Sequence, residues 1–261
     1  MITRENCAPS KIKQKKFTCY TMKDLKHMKK KYNRTHRNKI HTSSPAEIWK
    51  SLISRLNCTK ESCLASSLKL KMERFAPQSP SEWKKNPNAW LSSNDITNVL
   101  TQYEKAYPHF IYIGPSPSDY YFKTNGSCAW EELCKFDVRK LTSEKRVGIV
   151  FNLDKHDGPG THWVAVYIDP SKKVMYYFDS GGSKITKNIA HLYTQIKEQD
   201  PAYKLIQNAP VEHQFGSTEC GMYVLFFLVI MLQTNNFKHF NSKHTFSDKY
   251  MEKLRKRFFN T

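Results

Sequence analysis

The chain has 261 residues, enough for one large domain or a catalytic domain with a smaller extension, and enough to bury a sizeable core. It carries 42 Lys and Arg against 23 Asp and Glu, a formal charge of +19, with 39% hydrophobic and 13% aromatic residues, which excludes a wholly disordered chain. The longest apolar run, Met222 to Leu232, is far shorter than the ~20 residues of a membrane span, so it is expected to be a core helix and no membrane partner is expected.

The charge is concentrated at the ends. Residues 1–42 hold 13 basic residues and 2 acids, and residues 237–261 hold 7 and 2. Basic termini of this kind suggest contact with nucleic acid or another polyanion, with a solubilising or disordered arm as the alternative. Seven cysteines, an odd number, and a start ("MITRENCAPSKIKQKK") without an apolar stretch fit a reducing, intracellular compartment with cysteines left unpaired.

The first third reads helical. "TMKDLKHMKKKYN" aligns Met22, Leu25, Met28 and Tyr32, with Thr21 and Asp24 spaced as a capping box. In "SSPAEIWKSLISRL", Ser44 is a candidate N-cap, Pro45 suits the first helical position and Glu47 would complete a second box. Another helix is expected within residues 60–74. The prolines of "APQSPSEWKKNPNAW" break the pattern and place a boundary near residue 80, separating a basic helical extension (1–80) from a second domain (81–261). "WLSSNDITNVLTQYEKAY" restarts a helix, with Ser92 capping through Asp95, and "GPSPSDY" reads as a loop. From 146 onwards strands dominate: "RVGIVFNL", then "HWVAVYID" and "VMYYFDS" as a hairpin. A helix over "ITKNIAHLYTQIKEQ", a short strand "YKLIQN", the apolar helix after Cys220 and a basic C-terminal helix "DKYMEKLRKRFF" complete the chain.

The hairpin carries a testable register. If "DPSK" (169–172) is its loop, Ile168 faces Lys173 and His162 lies directly opposite Asp179. An imidazole beside a carboxylate is the arrangement that orients a general base. Cys220 stands where the apolar helix begins, and a helix N-terminus with a nearby imidazolium favours a thiolate. Acyl transfer also needs oxyanion donors. The Cys220 N–H and the amide of Gln214, six residues upstream, are candidates. His156 is a weaker rival for the base, Asp154 and Asp169 read as turn residues, and Asn152 lies on the "VGIVFNL" strand, its facing towards the site left open by the sequence. Cys58/Cys63 and Cys128/Cys134 lack the short spacing usual for zinc, so no metal or other cofactor is expected.

"HWVAVYID", "YYFDS" and a Gln six residues before "CG", in the order His–Asp–Gln–Cys, resemble the Ulp1/adenovirus-protease-like cysteine peptidases over roughly residues 85–235. The resemblance implies an α+β, papain-like core, a mixed sheet flanked by helices, with a helical N-terminal extension. It implies His162 as general base, Asp179 as its orienting acid, Cys220 as nucleophile and Gln214 in the oxyanion hole. It also implies that Trp90, Trp163 and Gly221 bind substrate, the tryptophans covering a narrow path for a Gly-Gly segment. "WLSSNDITNVLTQYEKAYPHFIYIGPSPSDY" and the "FTCYTMKDLKHMKKKYN" region are similar to proteases of large DNA viruses, including the African swine fever virus type. These imply cleavage of structural polyproteins during maturation, in the virion and host cytoplasm. The alternatives are a deconjugase for SUMO or another ubiquitin-like protein, and a silent fold that binds nucleic acid.

Overall fold

The computed structural model describes residues 5–12 and 17–260, and the basic residues within 1–4 and 13–16 lie outside that range. The chain divides into two compact units, residues 1–79 with 257–261, and residues 80–256.

The first unit contains α1 (Pro9–Ile12), α2 (Met22–Thr35), α3 (Pro45–Arg55) and α4 (Ser62–Ser67). α2 starts as its sequence dictates: Thr21 accepts from the Asp24 N–H, and the Asp24 carboxylate accepts from the Thr21 N–H. Asp24 is also gripped by Arg74 through two contacts of 2.8 and 2.9 Å. α3 departs from expectation. Pro45 opens it, but Ser44 makes no capping bond, and Glu47 instead accepts from the Thr42 hydroxyl. Leu25, Met28, Tyr32, Ile48, Leu52 and Leu64 build the core of this unit, whereas Met22, at the head of the expected stripe, is exposed.

The expectation of unpaired cysteines is corrected. Disulfides join Cys7–Cys19, Cys58–Cys63 and Cys128–Cys134, with Cα separations of 5.3, 5.7 and 6.5 Å, all within bridging range. Local chain turns bring these pairs together, a proximity that sequence spacing alone does not reveal.

The second unit contains α5 (Ser93–Ala106), β1 (Phe110–Pro117), the short pair β2 (Lys123–Thr124) and β3 (Ser127–Cys128), α6 (Glu131–Cys134), β4 (Arg146–Asn152), β5 (Trp163–Asp169), β6 (Val174–Phe178), α7 (Lys187–Gln199), β7 (Lys204–Gln207), α8 (Cys220–Thr234) and α9 (Asp248–Phe258), whose last residues, from Arg257, belong to the first unit. Five strands form a mixed sheet in the order β1-β4-β5-β6-β7, with antiparallel pairing only around β5. Alternate side chains of β4–β6, among them Ile149, Val164, Val166, Met175 and Tyr177, pack with Ile189, Leu192 and Ile196 of α7. On the other face lies α8, its Phe227 ring stacked on Phe178 at 4.7 Å. Cover on both faces explains why every residue of β5 and β6 is buried. It also explains why α8 is apolar around most of its circumference.

β1 was hidden by its own sequence. "GPSP" reads as a turn, yet these residues continue the strand past an irregularity between Ile113 and Ser116. Gly114 sits there at φ +107°, and a Cβ would fall 2.6 Å from the Val150 carbonyl oxygen on β4, so only glycine fits.

The hairpin register also needs correction. Ile168 faces Met175, not Lys173, and Asp169 faces Val174. The loop is residues 170–173, one step later than expected, and Lys173 takes the left-handed conformation at φ 53°. A four-residue loop displaced by one shifts every partner by two, so Asp179 does not lie directly opposite His162. A two-residue shift preserves the face, because side chains alternate with period two.

Candidate active site

His162 lies just before β5 and Asp179 just after β6, so the site grows from one end of the central hairpin. The His162 Nε2–H donates to Asp179 Oδ1 at 2.7 Å across the diagonal. Asp179 is buried, and the same oxygen accepts the Gly181 N–H at 2.8 Å. Its backbone is pinned by Asn208, which accepts from the Asp179 N–H at 2.9 Å and donates to its carbonyl at 2.7 Å. The carboxylate is therefore fixed in position as well as in distance.

The loop leading into His162 is also tied. Asn152 Oδ1 accepts the N–H groups of Asp154 and Thr161, and the Asp154 carboxylate accepts from Gly160 and Thr161. His156, the rival base, is committed elsewhere: its Nδ1 meets Asp119 at 2.8 Å and its ring stacks on Phe122. Asp169, expected in the turn, is instead the last residue of β5, fully buried and accepting from Ser171 and Asn235.

Cys220 is the first residue of α8, 2% exposed, and among the described residues it is the free cysteine. Its thiol is near enough to His162 to act on the charge of that imidazole. Burial works against a charged imidazole, but hydrogen bonds to Asp179 and Cys220 outweigh it and push the His162 pKa up to about 9. With Nε2 turned to Asp179, the ring offers Nδ1 to the thiol.

Glu219, the residue before Cys220, makes no capping bond. Its buried carboxylate is held by Arg255 at 2.7–3.1 Å. The same guanidinium donates to the Ala89 carbonyl at 2.8 Å, lies 3.4 Å from the Thr218 carbonyl and covers the Trp83 ring at 4.5 Å. One buried cation thus joins the turn carrying Cys220 to the segment carrying Trp90. A second tie runs beside it. Trp163 Nε1 donates to the Leu91 carbonyl at 3.0 Å, and the Leu91 side chain lies where a Cβ on Gly221 would be, at 2.9 Å. Gly221 therefore lets Leu91 pack onto the start of α8. Of the two tryptophans, Trp163 is buried and Trp90 is 46% exposed.

Gln214 is 7% exposed and its amide is oriented by neighbours. Ser180 Oγ donates to its Oε1 at 2.7 Å, and its Nε2 donates to the Gly216 carbonyl at 2.9 Å. The N–H groups of His213 and Gln214 both donate to the Ser180 carbonyl, next to Asp179. His213 itself is buried between the Phe240 carbonyl and the Phe246 N–H, and burial lowers its pKa, keeping it neutral.

The structure thus bonds His162 to Asp179, sets Cys220 near enough to raise the His162 pKa, and holds Gln214 on the segment that leads to Cys220. Sequence reasoning missed Arg255, Glu219, Asn208 and Ser180. Glu219 carried a signal, since an acid abutting an apolar helix needs a partner. Its partner lies 36 residues away, beyond any local pattern.

A buried thiol at a helix start, an imidazole against it and a carboxylate behind the imidazole define a thiol-hydrolase arrangement on an α+β fold. Residues 64–261 match the Ulp1 protease family, C-terminal catalytic domain, and the chain belongs to that family. It is a cysteine protease. A mimivirus protein (Acanthamoeba polyphaga mimivirus) named as a thiol protease, R355, is 27% identical over 88% of this chain and 85% of its own length. The cysteine protease S273R of African swine fever virus is 31% identical over 43% of each chain. The crystal structure of that virus's pS273R protease superposes with a TM-score of 0.69 at 21% identity, covering 100% of this chain and 97% of its own, which establishes the shared fold.

Proposed function

We propose that the chain is an endopeptidase that cleaves after small, Gly-containing motifs through Cys220, His162, Asp179 and Gln214. The observation that carries this reading is the His162 imidazole, bonded to Asp179 at 2.7 Å, with the buried thiol of Cys220 among the groups that raise its pKa. The Cys220 sulfur attacks the scissile carbonyl as thiolate, and the carbonyl electrons move to oxygen. The Cys220 N–H and the second Nε2–H of Gln214 stabilise that oxyanion. The imidazolium, held charged by Asp179, gives its proton to the leaving amine. The thioester that remains is hydrolysed by water, whose proton returns to His162. Trp90, on its clamped segment, is exposed where a flat indole can lie along a substrate backbone lacking side chains.

The substrate class proposed is polyproteins of a large DNA virus, processed during virion maturation in the host cytoplasm or the particle, and the likeness to thiol and cysteine proteases of large DNA viruses supports it. Several African swine fever virus relatives bear the name SUMO-1 cysteine protease, which supports a second reading, a protease for ubiquitin-like conjugates ending in Gly-Gly. A polyanion partner, nucleic acid first, fits the exposed row Lys23, Lys26, Lys30 and Arg34 on α2. Among the described residues no helix is long and apolar enough to cross a membrane.

The test is cleavage of a peptide library and of SUMO conjugates by wild type and Cys220→Ala. The expected outcome is cleavage after Gly by wild type and none by the variant, with conjugates left intact. Cleavage by Cys220→Ala would remove the nucleophile from the account. Conjugate cleavage without peptide cleavage would favour the second reading.

A further inference from the structure

One large apolar side chain beside the proposed nucleophile has no role in the chemistry above. Phe215 is 75% exposed, more than any other large hydrophobic residue described, the rest lying between 36% and 47%. It belongs to the segment between Gln214 and Cys220, and its exposure is fixed by the backbone. The N–H groups of Phe215 and Gly216 both donate to one oxygen of Asp248, at 3.1 and 2.8 Å. The other Asp248 oxygen lies 3.0 Å from the hydroxyl of Tyr223, a buried residue of the first turn of α8. On its other side the loop is held by the Gln214 side chain, through Ser180 and the Gly216 carbonyl. Folding back to bury the ring would break this set of bonds.

An isolated apolar residue on a surface needs no explanation. A phenyl ring presented to water by an anchored loop, between an oxyanion donor and the nucleophile, has a ready one. We infer that Phe215 is a specificity-determining residue that packs against an apolar side chain of the protein substrate close to the scissile bond. The inference rests on Cys220 being the nucleophile. Its reach is bounded by the chain. Phe215 is five positions before Cys220, so their Cα atoms are at most ~18 Å apart, and the complementary side chain lies within about five positions of the cleaved bond.

The experiment is cleavage of a randomised decapeptide mixture by wild type, Phe215→Ala and Phe215→Leu, with products sequenced by mass spectrometry and Cys220→Ala as control. Wild type should enrich aliphatic or aromatic residues at one position within five of the bond. Phe215→Ala should lose that enrichment while keeping the preferences at other positions, and Phe215→Leu should restore part of it. For a single peptide carrying the preferred residue, kcat/KM should fall on the order of tenfold in Phe215→Ala. For the same peptide with alanine at that position, the two enzymes should agree within about twofold. Because the ring is exposed, the melting temperature should not fall. Identical profiles for wild type and Phe215→Ala overturn the inference while leaving the Cys220 reading intact. Cleavage by Cys220→Ala instead overturns that reading, and the inference with it.

Discussion

The two units use charge in opposite ways. Residues 1–79 with 257–261 hold 20 Lys and Arg against 5 Asp and Glu, a net +15 in about a third of the chain, whereas residues 80–256 hold 22 against 18, a net +4. In the first unit three of the five acids are buried and used internally: Glu5 accepts from Ser62, Glu61 from the Cys19 N–H, and Asp24 holds Arg74. Few anions remain outside to balance the lysines. In the second unit buried acids are matched to cations at the candidate site, Asp179 to His162 and Glu219 to Arg255. A surface of uncompensated cations favours association with polyanions. A buried, matched pair fixes geometry, and it becomes costly as soon as one partner is removed.

That contrast can be broken most forcefully at Arg255. Arg255→Ala leaves the Glu219 carboxylate buried without its partner and should destabilise the second unit by about 3–5 kcal/mol, measured by denaturant unfolding. A loss under ~1 kcal/mol would show that the pair is not the clamp described. A smaller effect is expected from replacing Lys23, Lys26, Lys30 and Arg34 together by glutamate. Binding to a DNA duplex should weaken, and its log–log salt dependence should flatten by about 0.9 for each phosphate no longer neutralised, while peptide cleavage stays within about twofold. An unchanged salt slope would take α2 out of any polyanion surface.

Much of the local structure was legible in the sequence because it depends on local rules. The capping boxes at Thr21 and Ser92 formed as spaced. The third, at Ser44, did not: Thr42 takes both partners, its hydroxyl donating to Glu47 and accepting from the Ser44 N–H. The hairpin was legible as a hairpin, but its loop was not: Lys173 accepts a left-handed conformation that nothing in "DPSKK" demands. The His162–Asp179 contact survived that error because the displacement was even. β1 was obscured because Gly114 and its neighbouring prolines have the composition of a turn, and their strand conformation depends on β4 beside them. The disulfides and the Arg255 clamp escaped for one shared reason: each depends on a proximity that exists only after folding.

Stability and activity should both depend on His162. Its pKa is raised from the ordinary 6.5 to about 9. Its contribution to stability is therefore complete below pH 6.5 and is lost as pH rises through about 9. Under the proposed mechanism the same proton passes to the leaving amine. The most direct test is the pH profile of kcat/KM, for a peptide the enzyme cleaves, in wild type and Asp179→Asn. The account predicts an alkaline limb near pH 9 in wild type, and in the variant a limb displaced towards acid with a rate lower by ~10²-fold or more. A limb that stays in place, at a rate within about twofold of wild type, would contradict it.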